Sequence, residues 1–188
     1  PPDLPPFTSS VATVTAAELP LSWRPGCPVG PADLRAVSVS YVDFSGRAQQ
    51  GTLVVHRRVA AAVSTVFSQL YQARFPVAGI RPVEAYGGSD DASMAADNTS
   101  GFNCRFVAGT QSWSRHASGL AVDINPVENP YVVAGQAFPP ASAAWVDRSA
   151  YHPAMIRPGD VVTRAFAEAG WRWGATFVTT PDHHPSQA

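Results

Sequence analysis

The stretch Ser114-Arg115-His116-Ala117-Ser118-Gly119-Leu120-Ala121-Val122-Asp123-Ile124-Asn125-Pro126 holds the side chains best suited to chemistry. Asp123 stands inside the apolar run Leu120 to Ile124, where a charge is costly unless something positive meets it. His116 lies seven residues earlier, and Gly119 between them permits a turn that folds the imidazole back beside the carboxylate. Imidazole nitrogen and carboxylate oxygen both bind Zn2+, at about 2.0–2.2 Å. Together the two could supply two ligands of a metal site. Taken singly, each residue also has a structural reading, as a core histidine and as a hydrogen-bonded strand aspartate.

The elements that must position these residues form a mixed order of strands and helices. Val37-Ser38-Val39-Ser40-Tyr41-Val42 alternates apolar and polar residues, which predicts a strand, and Ser45-Gly46 begins a turn. Thr52 to His56 reads as the returning strand. From Val59 to Phe75, apolar residues recur mostly at three and four, the period of an amphipathic helix, and Pro76 stops it. Pro82 to Tyr86 reads as a short strand, Gly87 to Ser100 as a long polar loop, and 126–158 as a largely irregular, proline-broken segment. Asp160 or Gly159 caps a second helix through Ala169, ended by Gly170, and Trp171-Arg172-Trp173 follows as a strand. Asp90, Asp91 and Asp97 lack the alternation of an EF-hand loop and are read as loop residues near the cleft. Trp113, Trp171 and Trp173 are read as packing residues. Residues 1–34 form a proline-rich extended arm, and 35–188 form the main domain.

With 188 residues, 45% hydrophobic and 14% charged, the chain suits one globular domain with a sizeable core. A net charge of -1 argues against a general electrostatic grip on nucleic acid or anionic lipid. No apolar run approaches the roughly 18 residues of a membrane span. All 13 basic residues are Arg, as expected of a GC-rich bacterial genome. The start at Pro1-Pro2-Asp3 fits a mature or trimmed product. Cys27 and Cys104 would most simply pair as one disulfide in an exported protein.

Beyond these readings, residues 114–123 match the Ser-x-His-x-x-Gly-x-Ala-x-Asp signature of the M15 zinc peptidases, and the chain resembles that family. Its members are D-alanyl-D-alanine carboxypeptidases and L-alanyl-D-glutamate endopeptidases of bacterial cell walls. Asp97 to Arg105 looks like the family segment bearing a substrate-facing Arg, and Ala169-Gly170-Trp171-Arg172-Trp173-Gly174 resembles its Gly-Trp-x-Trp-Gly-Gly run. The resemblance covers residues 35 to 184. It implies an α+β fold, with a small antiparallel sheet flanked by helices and long loops around a zinc cleft. It also implies a monomeric, exported enzyme of the periplasm, cell wall or extracellular space, holding one Zn2+ per chain and cutting peptidoglycan stem peptides.

The resemblance assigns His116 and Asp123 as the first two zinc ligands and Asp182 as the general base. Arg105 would hold a substrate carboxylate or the developing oxyanion, and Ser114 would orient the substrate or His116. The family's third ligand is a His three residues after the base, but Pro185 stands there. His184, nearer to that position, is the favoured replacement, and His183 is the alternative. Ala175, Phe177 and Ser186 likewise replace a Gly, a Trp and a Phe of the family pattern. A chain that had lost the third ligand would bind cell-wall peptides without cleaving them.

Overall fold

The computed structural model describes residues 3–149, 151–174 and 185–187. Its centre is a three-stranded antiparallel sheet in the order β1 (Ser9–Thr13), β2 (Leu34–Val42), β3 (Ala48–His56). The alternation in β2 puts Val37 and Val39 on one face, and the β2–β3 register sets Leu53 opposite Val37. Against that face packs α1 (Ala60–Gln72), which buries Ala60, Val63, Val66, Phe67, Leu70 and Tyr71. Each large side chain of this kind contributes about 1.5–3 kcal/mol by leaving water. The helix ends one turn before Pro76. Arg74 takes the left-handed conformation (φ 54°), and the Phe75 and Arg74 amides donate to the Leu70 and Tyr71 carbonyls. The same core takes in Val122, Ile124 and α3 (Val161–Glu168), whose N-terminus Asp160 caps by accepting from the Thr163 amide at 2.8 Å.

The opposite face of β3 meets the amino-terminal arm. Val54 points away from Leu53 and Val55 into a second cluster with Leu19, Leu34, Phe102 and Cys104. The arm also adds strand β1 to the sheet edge. Cys27 and Cys104 are joined as a disulfide with Cα atoms 5.9 Å apart, which fixes the arm to the segment just before Arg105. A bridge of this kind stabilises the fold by about 2–4 kcal/mol, mainly by restricting the unfolded chain.

Several local expectations change. Val83–Tyr86 is a 3-10 helix rather than a strand, because Pro82 opens it and Gly87 (φ 67°) closes it within one turn. The polar loop from 87 contains β4's partner and a helix: β4 (Gly79–Ile80) pairs in parallel with β5 (Asn98–Thr99), and α2 (Asp90–Ala95) is capped by Ser89. The segment read as irregular between 126 and 158 contains a hairpin, β6 (Tyr131–Val133) with β7 (Gln136–Phe138), and a 3-10 helix over Pro140–Trp145. After α3, β8 (Arg172–Trp173) pairs antiparallel with β9 (Pro185–Gln187). The fold is α+β, with small sheets, antiparallel except for β4–β5, and few helices. Among the described residues no helix is long and apolar enough to cross a membrane.

Candidate metal centre

Two segments converge on the end of β3. The Phe102 amide donates to the Val54 carbonyl at 2.7 Å, and the His56 amide donates to the Gly119 carbonyl at 2.8 Å. Both approaches are too close for a side chain. A Cβ on Gly101 would lie 2.4 Å from Val54 O, and one on Gly119 would lie 2.6 Å from His56 N. Ser114 opens a single 3-10 turn, Arg115–Ser118, its Oγ accepting from the His116 amide at 3.3 Å. Gly119, with φ 66°, then reverses the chain. Asp123 returns beside Ser100, exchanging backbone hydrogen bonds of 2.9 and 3.1 Å with it.

The result is a buried pair. His116 Nε2 lies 3.2 Å from Asp123 Oδ2, with side-chain exposures of 10% and 8%. His116 Nδ1 lies 2.6 Å from the Gly101 carbonyl, which can only accept, so Nδ1 carries the hydrogen and Nε2 faces the carboxylate. Burial, the largest single influence, pushes the imidazole pKa down. The charge and hydrogen bond of Asp123 outweigh it and hold the pKa above its ordinary value.

These two groups fit a zinc ion. Two ligands of a tetrahedral Zn2+ at about 2.0–2.1 Å stand about 3.3–3.4 Å apart, within a few tenths of the observed separation. A ligating His whose other N–H is held by a main-chain carbonyl is the usual outer arrangement of such sites. Asp182, His183 and His184 lie outside the described residues. Among the described residues no three His, Cys, Asp or Glu side chains gather as a metal site.

Arg105 shares this neighbourhood. Its Nη2 lies 2.8 Å from Asp90 Oδ2, and both charges act on His116. Asn103 donates to Asp90 Oδ1 at 3.4 Å, and its own amide donates to the His116 carbonyl at 3.1 Å. Trp171 is buried as a packing residue, 5% exposed. Trp113 differs: it is 36% exposed and stacks on Phe106 at 4.1 Å, at the base of the turn linking Arg105 to Ser114.

Sequence reasoning missed the support behind Asp123. Asn125 takes φ 46°, accepts from the Ala78 amide at 3.0 Å and donates to the Pro76 carbonyl at 2.9 Å. Asn129 donates to the Ile124 carbonyl at 3.1 Å and accepts from the Ile156 amide at 2.7 Å. Together they lock the chain immediately after the carboxylate. The signal available in sequence was the pair of Asn residues bracketing Pro126-Val127-Glu128, which marks a built turn.

Glu128 and Asp97 form a carboxyl pair within this support. Burial, then the hydrogen bond and charge of Asp97, push the Glu128 pKa up to about 8. The folded protein therefore binds a proton that the unfolded chain releases near its ordinary value of 4.5. The stability this gives is complete below pH 4.5 and is lost as pH rises through 8. Glu128→Gln is expected to match the wild type at pH 5. At pH 8.5 it should exceed it by at least about 1.4 kcal/mol, one pKa unit. Urea unfolding across this range checks it, and parallel curves for the two proteins would refute it.

A family model described as D-alanyl-D-alanine carboxypeptidase matches residues 108–184, the span holding His116, Asp123 and the carboxyl-terminal Asp-His-His run. No curated protein and no solved structure matches the chain. Over residues 108–184 the chain is similar to that family, and the M15 resemblance read from its sequence is borne out there.

Proposed function

We propose that the chain is an exported, monomeric zinc peptidase that hydrolyses peptidoglycan stem peptides, as a D,D-carboxypeptidase or an L-Ala-D-Glu endopeptidase. The observation that carries this reading is the His116–Asp123 pair, 3.2 Å apart and oriented by the Gly101 carbonyl. His116, Asp123 and His184 would hold one Zn2+, with His183 as the alternative third ligand. Bound there, the ion supplies a Lewis acid that polarises the scissile carbonyl and acidifies water. Asp182 takes a proton from the attacking water and returns it to the leaving amine. Arg105 binds a substrate carboxylate or the developing oxyanion through its planar fork of donors. Ser114 caps the turn that presents His116 and so keeps the imidazole in place.

One observation favours a second reading. Pro185, at the family position of the third ligand, belongs to β9 and pairs with Trp173. A member without that ligand would hold cell-wall peptides as a scaffold or regulator. Metal analysis of the purified chain together with muropeptide digestion separates the two. The peptidase reading expects about one zinc per chain, new cleavage products, and loss of both in either His183→Ala or His184→Ala. A metal-free chain that yields no new products would favour the binder.

A further inference from the structure

We propose that Asp90 is the positioning residue for Arg105, fixing the guanidinium before a substrate carboxylate arrives; this rests on the role given to Arg105 above. The ion pair is end-on: Asp90 Oδ2 meets Nη2 alone at 2.8 Å, while Asp90 Oδ1 is held by Asn103. The aspartate is thereby fixed on one side and grips the arginine on the other. A guanidinium carries five N–H donors, so this contact leaves most of the fork for a ligand. Among the described residues Nη1 makes only a long contact, 3.5 Å, to the Phe106 carbonyl, and Nε is buried without a hydrogen-bond partner. A buried donor in that state costs about 1–3 kcal/mol, which an acceptor brought by substrate would relieve.

The main chain at this point is already rigid. Cys104 is bound to Cys27, the Arg105 amide donates to Asn103 O at 2.9 Å, and the Ser114 amide donates to Arg105 O at 3.0 Å. What remains free is the arginine side chain, which loses up to about 2 kcal/mol of rotamer freedom when it is ordered. Asp90 imposes that order in advance. The pair is too exposed, at 30% and 21%, to matter much for stability. Its effect belongs to recognition.

The test compares wild type, Asp90→Asn and Asp90→Glu on two peptides: one ending in D-Ala-D-Ala with a free carboxylate, and its carboxyl-terminal amide. Affinity is measured by calorimetry and turnover by product release. The wild type is expected to prefer the free carboxylate. Asp90→Asn should weaken binding and raise KM for that peptide by about tenfold, the scale of one immobilised side chain. Its kcat, and its affinity for the amide, should change less than about twofold. Asp90→Glu, which restores the charge, should recover part of the loss. Unchanged or tighter binding by Asp90→Asn, an equal loss for both peptides, or a wild type without any preference would each overturn the proposal. A wild type that prefers the carboxylate and yields no product removes the hydrolytic reading, while the variants still decide the role of Asp90. Cleavage with the preference intact in Asp90→Asn does the reverse.

Discussion

His116→Ala is expected to lose its zinc and its peptide hydrolysis together, with metal affinity falling more than about 100-fold. Removing an outer partner of a metal ligand already costs about 10–100-fold, and His116 is assigned as the ligand itself. The substitution also leaves Asp123 as a carboxylate 6% exposed, without the imidazole that meets it at 3.2 Å. Breaking a buried pair by removing one partner costs about 3–5 kcal/mol. The metal-free variant should therefore also be less stable than the metal-free wild type. Elemental analysis, a muropeptide digest and denaturant unfolding read the three effects. A variant that keeps one zinc per chain and full hydrolysis would end the metal-site assignment.

Gly119→Ala is expected to be nearly as damaging without removing any functional group. Its φ of 66° alone costs a residue with a side chain about 1–2 kcal/mol. The added Cβ would also sit 2.6 Å from the His56 amide nitrogen, a backbone atom that cannot swing aside. The turn must then lift off β3, and the hydrogen bond from His56 to the Gly119 carbonyl goes with it. A total loss of at least about 3 kcal/mol follows, at the upper end for point substitutions. Because the same turn presents His116, zinc retention should weaken in the protein that remains folded. A stability change below about 1 kcal/mol with normal zinc content would show that the bend is not what sets the pair.

How far this could be read from residues alone depended on the range of each interaction. The strands around Val37–Val42 and Thr52–His56 and helix α1 were legible because their periodicity is local and their buried faces are regular. The His116–Asp123 pairing was legible for the same reason, since one glycine turn joins the two residues. The run Leu120–Ile124 imitates a strand in composition but makes isolated bridges at Ala121 and Asp123 rather than a strand, and side chains of Asn125 and Asn129 hold the chain that follows. Helix α2 was missed although Ser89-Asp90-Asp91 is a good N-terminal signal, because the stretch is short and rich in polar residues. Gly101 as the imidazole's acceptor and Asp90 as the arginine's partner come from segments folded in from elsewhere. No spacing rule reaches them.

The acceptor that orients His116 is a peptide oxygen, and this bears on how such a chain can change over generations. A point replacement at position 101 can crowd β3, but it cannot delete the oxygen. The imidazole's tautomer is therefore insulated from mutational drift in a way that a carboxylate or amide partner would not be. Under the proposed metal site, a lineage could exchange its carboxyl-terminal ligands while the His116 half of the grip stays oriented for a new third donor.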